Sequence, residues 1–249
     1  MTSRRDRYDA IGRSYSKTRR EDPRIATAVH EALGSAASVL NVGAGSGNYE
    51  PPDRHVVAVE PSVQMLRQRR DGSAPAVRAV AESLPFPTAS FDAALAFLTV
   101  HHWADPAAGL RELARVSLRQ VVFFFEALKT HDFWALEYFP SALHLPTEVD
   151  PPGEKLLSEH LQIRHVERVL VPRDCQDGFG TAFWARPDAY LDPEVQAGMS
   201  WLAMLPETDR QRGTAQLKAD LESGAWDDRH GHLREQHDYD GGYRIAIAY

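Results

Sequence analysis

The chain has 249 residues, 43% of them hydrophobic and 25% charged, with a formal net charge of −7. That size suits one α/β domain with a sizeable core and room for a cap, and the composition excludes a disordered or fibrous chain. No apolar run approaches the ~18 residues of a membrane helix, the acidic balance argues against a nucleic-acid partner, and a single cysteine, Cys175, rules out an internal disulfide and a cysteine-built metal site.

The first residues, Met1 to Arg7, are polar, with no apolar leader core behind them, and a cytoplasmic protein is expected. The basic residues Arg4, Arg5, Arg7, Arg13, Lys17, Arg19 and Arg20 read as a solvated arm. Asp22-Pro23 predicts a helix start, a capping side chain followed by a proline, and Gly34 its end. Strands are expected at Ala37 to Val42, His55 to Val59, Ala76 to Val80, Phe91 to Leu98 and Gln120 to Glu126. Ser62 caps a short helix whose last turn carries Arg67, Arg69 and Arg70, the favourable sign there. Asp105-Pro106 opens another, with Leu110, Leu113, Ala114 and Val116 on one face. Continuous apolar strands separated by helices predict a Rossmann-like, doubly wound, mostly parallel sheet. Two late strands are expected at Ile163 to Val171 and Tyr243 to Ala248.

Two stretches break this rhythm, at about 127–160 and 173–240. The first is rich in aromatics and prolines; the second has helical patterns near 192–204 and 208–223. They are expected to cap the carboxyl edge of the sheet, where substrate covers sit. Residues 1–126 then hold the arm and the cofactor-binding half, and residues 127–249 the remaining strands with the cap.

Val39 to Gly47 is a strand entering a Gly-x-Gly-x-Gly turn, where missing Cβ atoms let backbone approach a ligand. Such a turn alone is a weak signal. Glu60 ends the next strand, where a carboxylate accepts both hydroxyls of a ribose. The spacing is not Gly-x-Gly-x-x-Gly, and Tyr49-Glu50-Pro51-Pro52-Asp53 leaves little room for a helix before the second strand. A dinucleotide site sets its pyrophosphate on the N-terminus of such a helix. A phosphate-free cofactor has no need of one.

Asn41 to Glu50, Val59 to Ser62, Ala81 to Phe86, Ser90 to Ala94 and His101 to Pro106 occur in order and in spacing. Together they resemble the class I S-adenosylmethionine-dependent methyltransferases, in the branch similar to ubiquinone and menaquinone methyltransferases, over about residues 8–126. The resemblance implies seven strands with the last antiparallel, and S-adenosylmethionine as cofactor. It implies that the backbone at Gly43, Ala44 and Gly45 meets the methionine part, near Asn41, and that Glu60 holds the ribose. Pro61 and Met65 would flank the adenine, Ala81 and Glu82 would line its edge, and Phe97 and Leu98 would lie beneath the methionine. Tyr15 and Arg19 are the candidates to close over the site. The chain departs from the family pattern in three places: Asn41 stands where an acid is usual, Val80 where an acid often reads the adenine amine, and Leu118-Arg119-Gln120 where Pro-Gly-Gly is usual.

Methyl transfer needs a base only for a nucleophile that carries a tightly held proton. His102, after the fourth strand, and Glu126, at the end of the fifth, are the candidates. Trp103 reads as packing. Cys175 has no motif that would place a base beside it. The scattered histidines match no metal-ligand spacing, and no metal is expected. The predicted activity is methylation of an oxygen, nitrogen or carbon atom of a small molecule. A nicotinamide-dependent oxidoreductase and an adenosylmethionine binder without transfer remain as alternatives.

Overall fold

The computed structural model of the protein describes residues 19–127 and 133–249. Tyr15 and most of the basic arm lie outside that range. Helix α1 (Pro23–Ala32) begins where Asp22 accepts the Arg24 N–H, and it ends before Gly34 at φ 61°. Strands β1 (Ser38–Val42) and β2 (His55–Val59) follow, then α2 (Val63–Arg67), whose Met65 N–H is capped by the Ser62 hydroxyl. Next come β3 (Ala76–Val77), β4 (Phe91–Phe97), α3 (Pro106–Val116) and β5 (Ser117–Phe125).

Beyond β5 the first insertion carries α4 (Ala135–Tyr138), α5 (Pro146–Val149) and α6 (Glu154–His160). Strands β6 (Ile163–Arg168) and β7 (Val171–Pro172) precede the second, with α7 (Pro193–Gly198), α8 (Ser200–Ala203), α9 (Glu207–Ser223) and α10 (Ala225–His230). Strands β8 (Asp238–Tyr239) and β9 (Tyr243–Ala248) end the fold.

Among the described residues seven strands form one sheet in the order β3-β2-β1-β4-β5-β9-β6. The first five are parallel, and β9 runs antiparallel to both β5 and β6. The expected Rossmann-like sheet with an antiparallel last strand is therefore present. Strand alternation divides the core between its two faces. On β4 and β5, Ala93, Leu95, Val121 and Phe123 join α1 and the cap aromatics, whereas Ala94, Ala96, Val122 and Phe124 join Leu110, Leu113 and Val116 of α3.

Several boundaries differ from expectation. The third strand stops at Val77 because it is an exposed edge, paired only through Ala58 and Val59. The fifth begins three residues early, at Ser117, directly from α3. The late strand expected over 163–171 breaks after Arg168: β6 stays on β9, while Val171-Pro172 leaves to pair with β8. The helical pattern near 192–204 divides at Met199, whose backbone is extended.

Candidate cofactor and acceptor site

The glycine turn leaves β1 at Val42. Gly43, Gly45 and Gly47 all have positive φ, at 72°, 53° and 95°. Two of them are needed for different reasons. A Cβ on Gly43 would stand 2.0 Å from the Thr99 hydroxyl oxygen, so this glycine lets the turn close onto the end of β4. A Cβ on Gly45 would meet nothing within 4 Å. The space over Gly45 is open, as a backbone cradle for a ligand requires.

Glu60 closes the other side of this space. Its carboxylate accepts the Gly45 N–H at 2.9 Å and the Ser62 N–H at 2.8 Å, and it is 7% exposed. Burial raises its pKa above the ordinary value, while the Ser62 and Gly45 N–H groups and the charge of Arg69 pull the other way. Each carboxylate oxygen keeps acceptor capacity beyond its one N–H, enough for ribose hydroxyls. Residues 48–54, between the turn and β2, contain no helix, so no helix runs on from the glycine turn. A phosphate-free adenosine cofactor fits these residues better than a dinucleotide does.

The remaining expected cofactor residues lie just after β2, on α2 and between β3 and β4. Met65 is buried on α2, Pro61 is half-buried beside it, and Ala81 is buried. The segment after Ala81 is strapped to α3: Glu112 accepts the Leu84 N–H at 2.8 Å, and Arg115 donates to the Phe86 and Leu84 carbonyls at 2.7 and 3.0 Å. Glu82 accepts the Ala104 and Asp105 N–H groups at 2.7 and 3.1 Å, so one of its oxygens fixes the loop before α3. Asn41 donates at 3.2 Å to Glu50, which is itself held at 2.8 Å by Arg69. That cluster is buried and close to neutral.

Phe97 is stacked between Tyr49 and Phe123, with ring centroids 3.9 and 4.3 Å away. Leu98 follows with φ 46°, a conformation that strains any side chain and is often found at functional sites. Leu98 also lines a cleft under the cap, with Arg19, His101, His102, Phe125, Glu148, Phe179, Trp201 and Tyr243 among its walls. The enclosed cavity volume of this cleft is about 60 Å³. The cleft contains no residue of the glycine turn; Leu98, next to the Thr99 that packs on Gly43, and Arg19, whose carbonyl accepts the Asn48 amide at 3.2 Å, are its links to that turn.

Arg19 is anchored by a residue 158 positions away. Its Nε meets Asp177 at 2.7 Å, and the Tyr49 hydroxyl donates to the same carboxylate at 2.8 Å. Asp177 is fully buried. No local pattern around Asp177 exposes this pairing in the sequence. Cys175 is buried, and burial raises its thiol pKa to about 12, which suits an inert core residue. Trp103 packs against α3, where a Cβ on Gly109 would strike its ring at 2.3 Å.

Of the two expected bases, the structure brings only His102 to the cleft, its ring 3.7 Å from that of His101. Glu126 instead pairs with Arg244 at 2.9 Å and does not line the cleft, because β9 lies beside the end of β5. Glu148 was not singled out from sequence. A lone glutamate after Pro146-Thr147 reads as solvated, and only the cap packing buries it.

Residues 40–125 match the methyltransferase domain family. That segment, about a third of the chain, is similar to methyltransferase domains. The whole chain is similar to a solved Anabaena variabilis protein assigned as a methyltransferase of an antibiotic biosynthesis pathway, with 29% identity, 93% of this chain and 99% of that chain covered, and a TM-score of 0.83. A phosphoethanolamine-type N-methyltransferase of Haemonchus contortus, solved with phosphomonomethylethanolamine and S-adenosylhomocysteine, shares the fold at 14% identity, over 100% of this chain and 60% of that one, with a TM-score of 0.54. An uncharacterized protein of Methanocaldococcus jannaschii is 27% identical over 135 residues, 52% of this chain. The match spans 54% of that curated relative's length. The glycine turn, Glu60 and Leu98 all fall inside the matched segment.

Proposed function

We propose that the chain moves the methyl group of S-adenosylmethionine to an oxygen, nitrogen or carbon nucleophile of a small molecule held in the cleft. The observation that carries this reading is the end of β4: Thr99 packs on the glycine turn beside Glu60, and Leu98, next to it, lines an aromatic cleft under the cap. The cofactor supplies a methyl group on a positively charged sulfur that is ready to leave. The chain's own task is aim, since holding reactants in line is worth ~7–11 kcal/mol.

In this reading the backbone of Gly43, Ala44 and Gly45 faces the methionine part and Glu60 takes the ribose. Pro61, Met65, Ala81 and Glu82 border the adenine, and Phe97 and Leu98 lie beneath the methionine. Arg19 lines the cofactor side of the cleft, and Tyr15 is its proposed companion. Asn41 holds the turn through Glu50. His102 is the better candidate base, being on the cleft wall; Glu126 is bound to Arg244. The likeness to the ubiquinone and menaquinone branch rests on the five segments 41–50, 59–62, 81–86, 90–94 and 101–106 in register and is part of the same proposal.

Calorimetric titration with S-adenosylhomocysteine, with NADH in parallel, tests the reading. Binding of the first alone is expected, followed by turnover in a small-molecule acceptor screen. Binding of NADH alone would replace it with the oxidoreductase reading, which the lack of a helix after the glycine turn disfavours. One observation favours a second reading, a binder without transfer. The Asn41–Glu50–Arg69 cluster offers no net negative charge to the cofactor's ammonium. Tight S-adenosylhomocysteine binding without turnover on any acceptor would support it.

A further inference from the structure

We propose that the buried wall of the cleft is a carbonyl-binding subsite, where the Tyr243 hydroxyl and the Trp201 Nε1–H donate to one carbonyl oxygen of the ligand. The inference deepens the methyltransferase reading and rests on it for the ligand's role as methyl acceptor. Gly180, Thr181, Trp201 and Tyr243 all line the cleft. Tyr243 is 5% exposed, and its oxygen accepts the Thr181 N–H at 3.4 Å. Among the described residues no group accepts the tyrosine proton in hydrogen-bonding geometry. Burial pushes the Tyr243 pKa well above its ordinary value, so the hydroxyl is a donor near neutral pH; the charges of Glu148 and Arg19 act on it in opposite directions. Trp201 is 6% exposed and gives its Nε1–H to the Gly180 carbonyl at 3.4 Å, a long N–H···O contact. That carbonyl already takes the Tyr190 hydroxyl at 3.0 Å. Thr181 is 1% exposed, and its hydroxyl has no hydrogen-bond partner.

Three buried donors on one wall thus make long bonds or none, a surplus that costs free energy until an accepting oxygen answers it. Two of them meet beside Gly180. A Cβ there would stand 3.2 Å from Trp201 Nε1 and 3.3 Å from Tyr243 Oη, and its absence leaves the space between the two donors open. An oxygen that only accepts suits a wall of donors better than a hydroxyl does. The donors are neutral, so a carboxylate would lose more hydration than they return. The enclosed 60 Å³ equals the liquid volume of about two waters, at ~30 Å³ each, which is room for a carbonyl and the carbons beside it. Leu98, Phe125, Phe133 and Phe179 supply apolar lining for the remainder. The fitting ligand is therefore a neutral carbonyl compound with an apolar body.

The test uses three matched probes: acetophenone, ethylbenzene and benzoate. Each is titrated by calorimetry into the full chain, into Tyr243→Phe and into Gly180→Ala, with and without S-adenosylhomocysteine. Acetophenone is expected to bind the native chain at least about tenfold more tightly than ethylbenzene or benzoate, as for a site whose donors are left unpaired by the wrong ligand. Tyr243→Phe removes one donor and should take away most of that factor for acetophenone while leaving ethylbenzene unchanged. Gly180→Ala keeps both donors but fills the space between them, and should close the gap between the two probes in the same way. Equal binding of acetophenone and ethylbenzene, tighter binding of benzoate, an unchanged acetophenone affinity in Tyr243→Phe, or binding of none of the three would overturn the proposal. If either variant does not fold, the ranking of the three probes on the native chain decides. Failure of S-adenosylhomocysteine to bind, with the acetophenone preference intact, would remove the methyltransferase reading and leave the carbonyl subsite standing.

Discussion

Glu148 and Glu60 are both buried carboxylates, and their surroundings set them different tasks. Burial pushes the Glu148 pKa up to about 7, against which its described contact, the Thr147 hydroxyl at 3.4 Å, does little. Arg19, His101, His102 and Tyr243 are the other titratable groups lining its cleft. Because the folded pKa is raised, the folded state keeps a proton that the unfolded chain has lost. Stability from this group is full below the unfolded value, 4.5, and is lost as pH rises through about 7. Glu148→Gln should therefore gain up to about 3 kcal/mol relative to the native chain between about pH 5 and pH 8. Urea unfolding of both proteins at the two pH values measures this, and a constant difference would show that the carboxylate is not buried as described. Glu60 instead accepts two backbone N–H groups, one of them from the glycine turn itself. Glu60→Ala should weaken S-adenosylhomocysteine binding by about 1.5–3 kcal/mol. Unchanged affinity in calorimetry would remove Glu60 from the ribose.

At the scale of elements, the glycine turn separates two kinds of constraint that look alike in the sequence. Gly43 is packed against Thr99, so any side chain there disturbs the joint between β1 and β4. Gly45 faces open space, so a side chain there meets only backbone strain from its positive φ and whatever occupies the cradle. Gly45→Val should keep the fold, with a loss of about 1–3 kcal/mol in stability, and abolish cofactor binding. Retained binding would mean that the turn faces elsewhere. The Ala81 to Phe86 segment has an equally physical explanation. Glu112 and Arg115 of α3 hold its backbone, and Glu82 holds the loop before α3. The motif is legible in the sequence because both ends of this strap are local polar residues, although only the fold brings them together.

At the scale of the molecule, sheet and cap share one apolar cluster. It runs from Val29, Val39 and Leu95 through Phe123 and Tyr243 to Trp134, Trp184 and Trp226. The buried Arg19–Asp177 pair links the chain before α1 to the second insertion within the same face. Removing one partner of a buried ion pair typically costs about 3–5 kcal/mol, and Asp177→Ala, which also strips the Tyr49 hydroxyl of its acceptor, should lose about that much in urea unfolding. A loss near zero would mean that water replaces the carboxylate. The shared core also predicts one cooperative transition. Tryptophan fluorescence, dominated by the cap, and far-UV circular dichroism, dominated by the whole fold, should report the same midpoint.

The sequence by itself determined the strand and helix order, the capped starts at Asp22, Ser62 and Asp105, the glycine turn and the carboxylate after β2. These depend on local periodicity, backbone permissiveness and capping, which short stretches of chain carry within themselves. Tertiary structure alone decided the rest. It divided the strand expected over 163–171 between two sheets, tied Glu126 to Arg244, paired Arg19 with Asp177 across 158 positions, and buried Glu148 in the cleft wall. Burial and charge pairing depend on which distant surfaces meet, and no local pattern around Glu148 or Asp177 distinguishes a solvated acid from one held in a core.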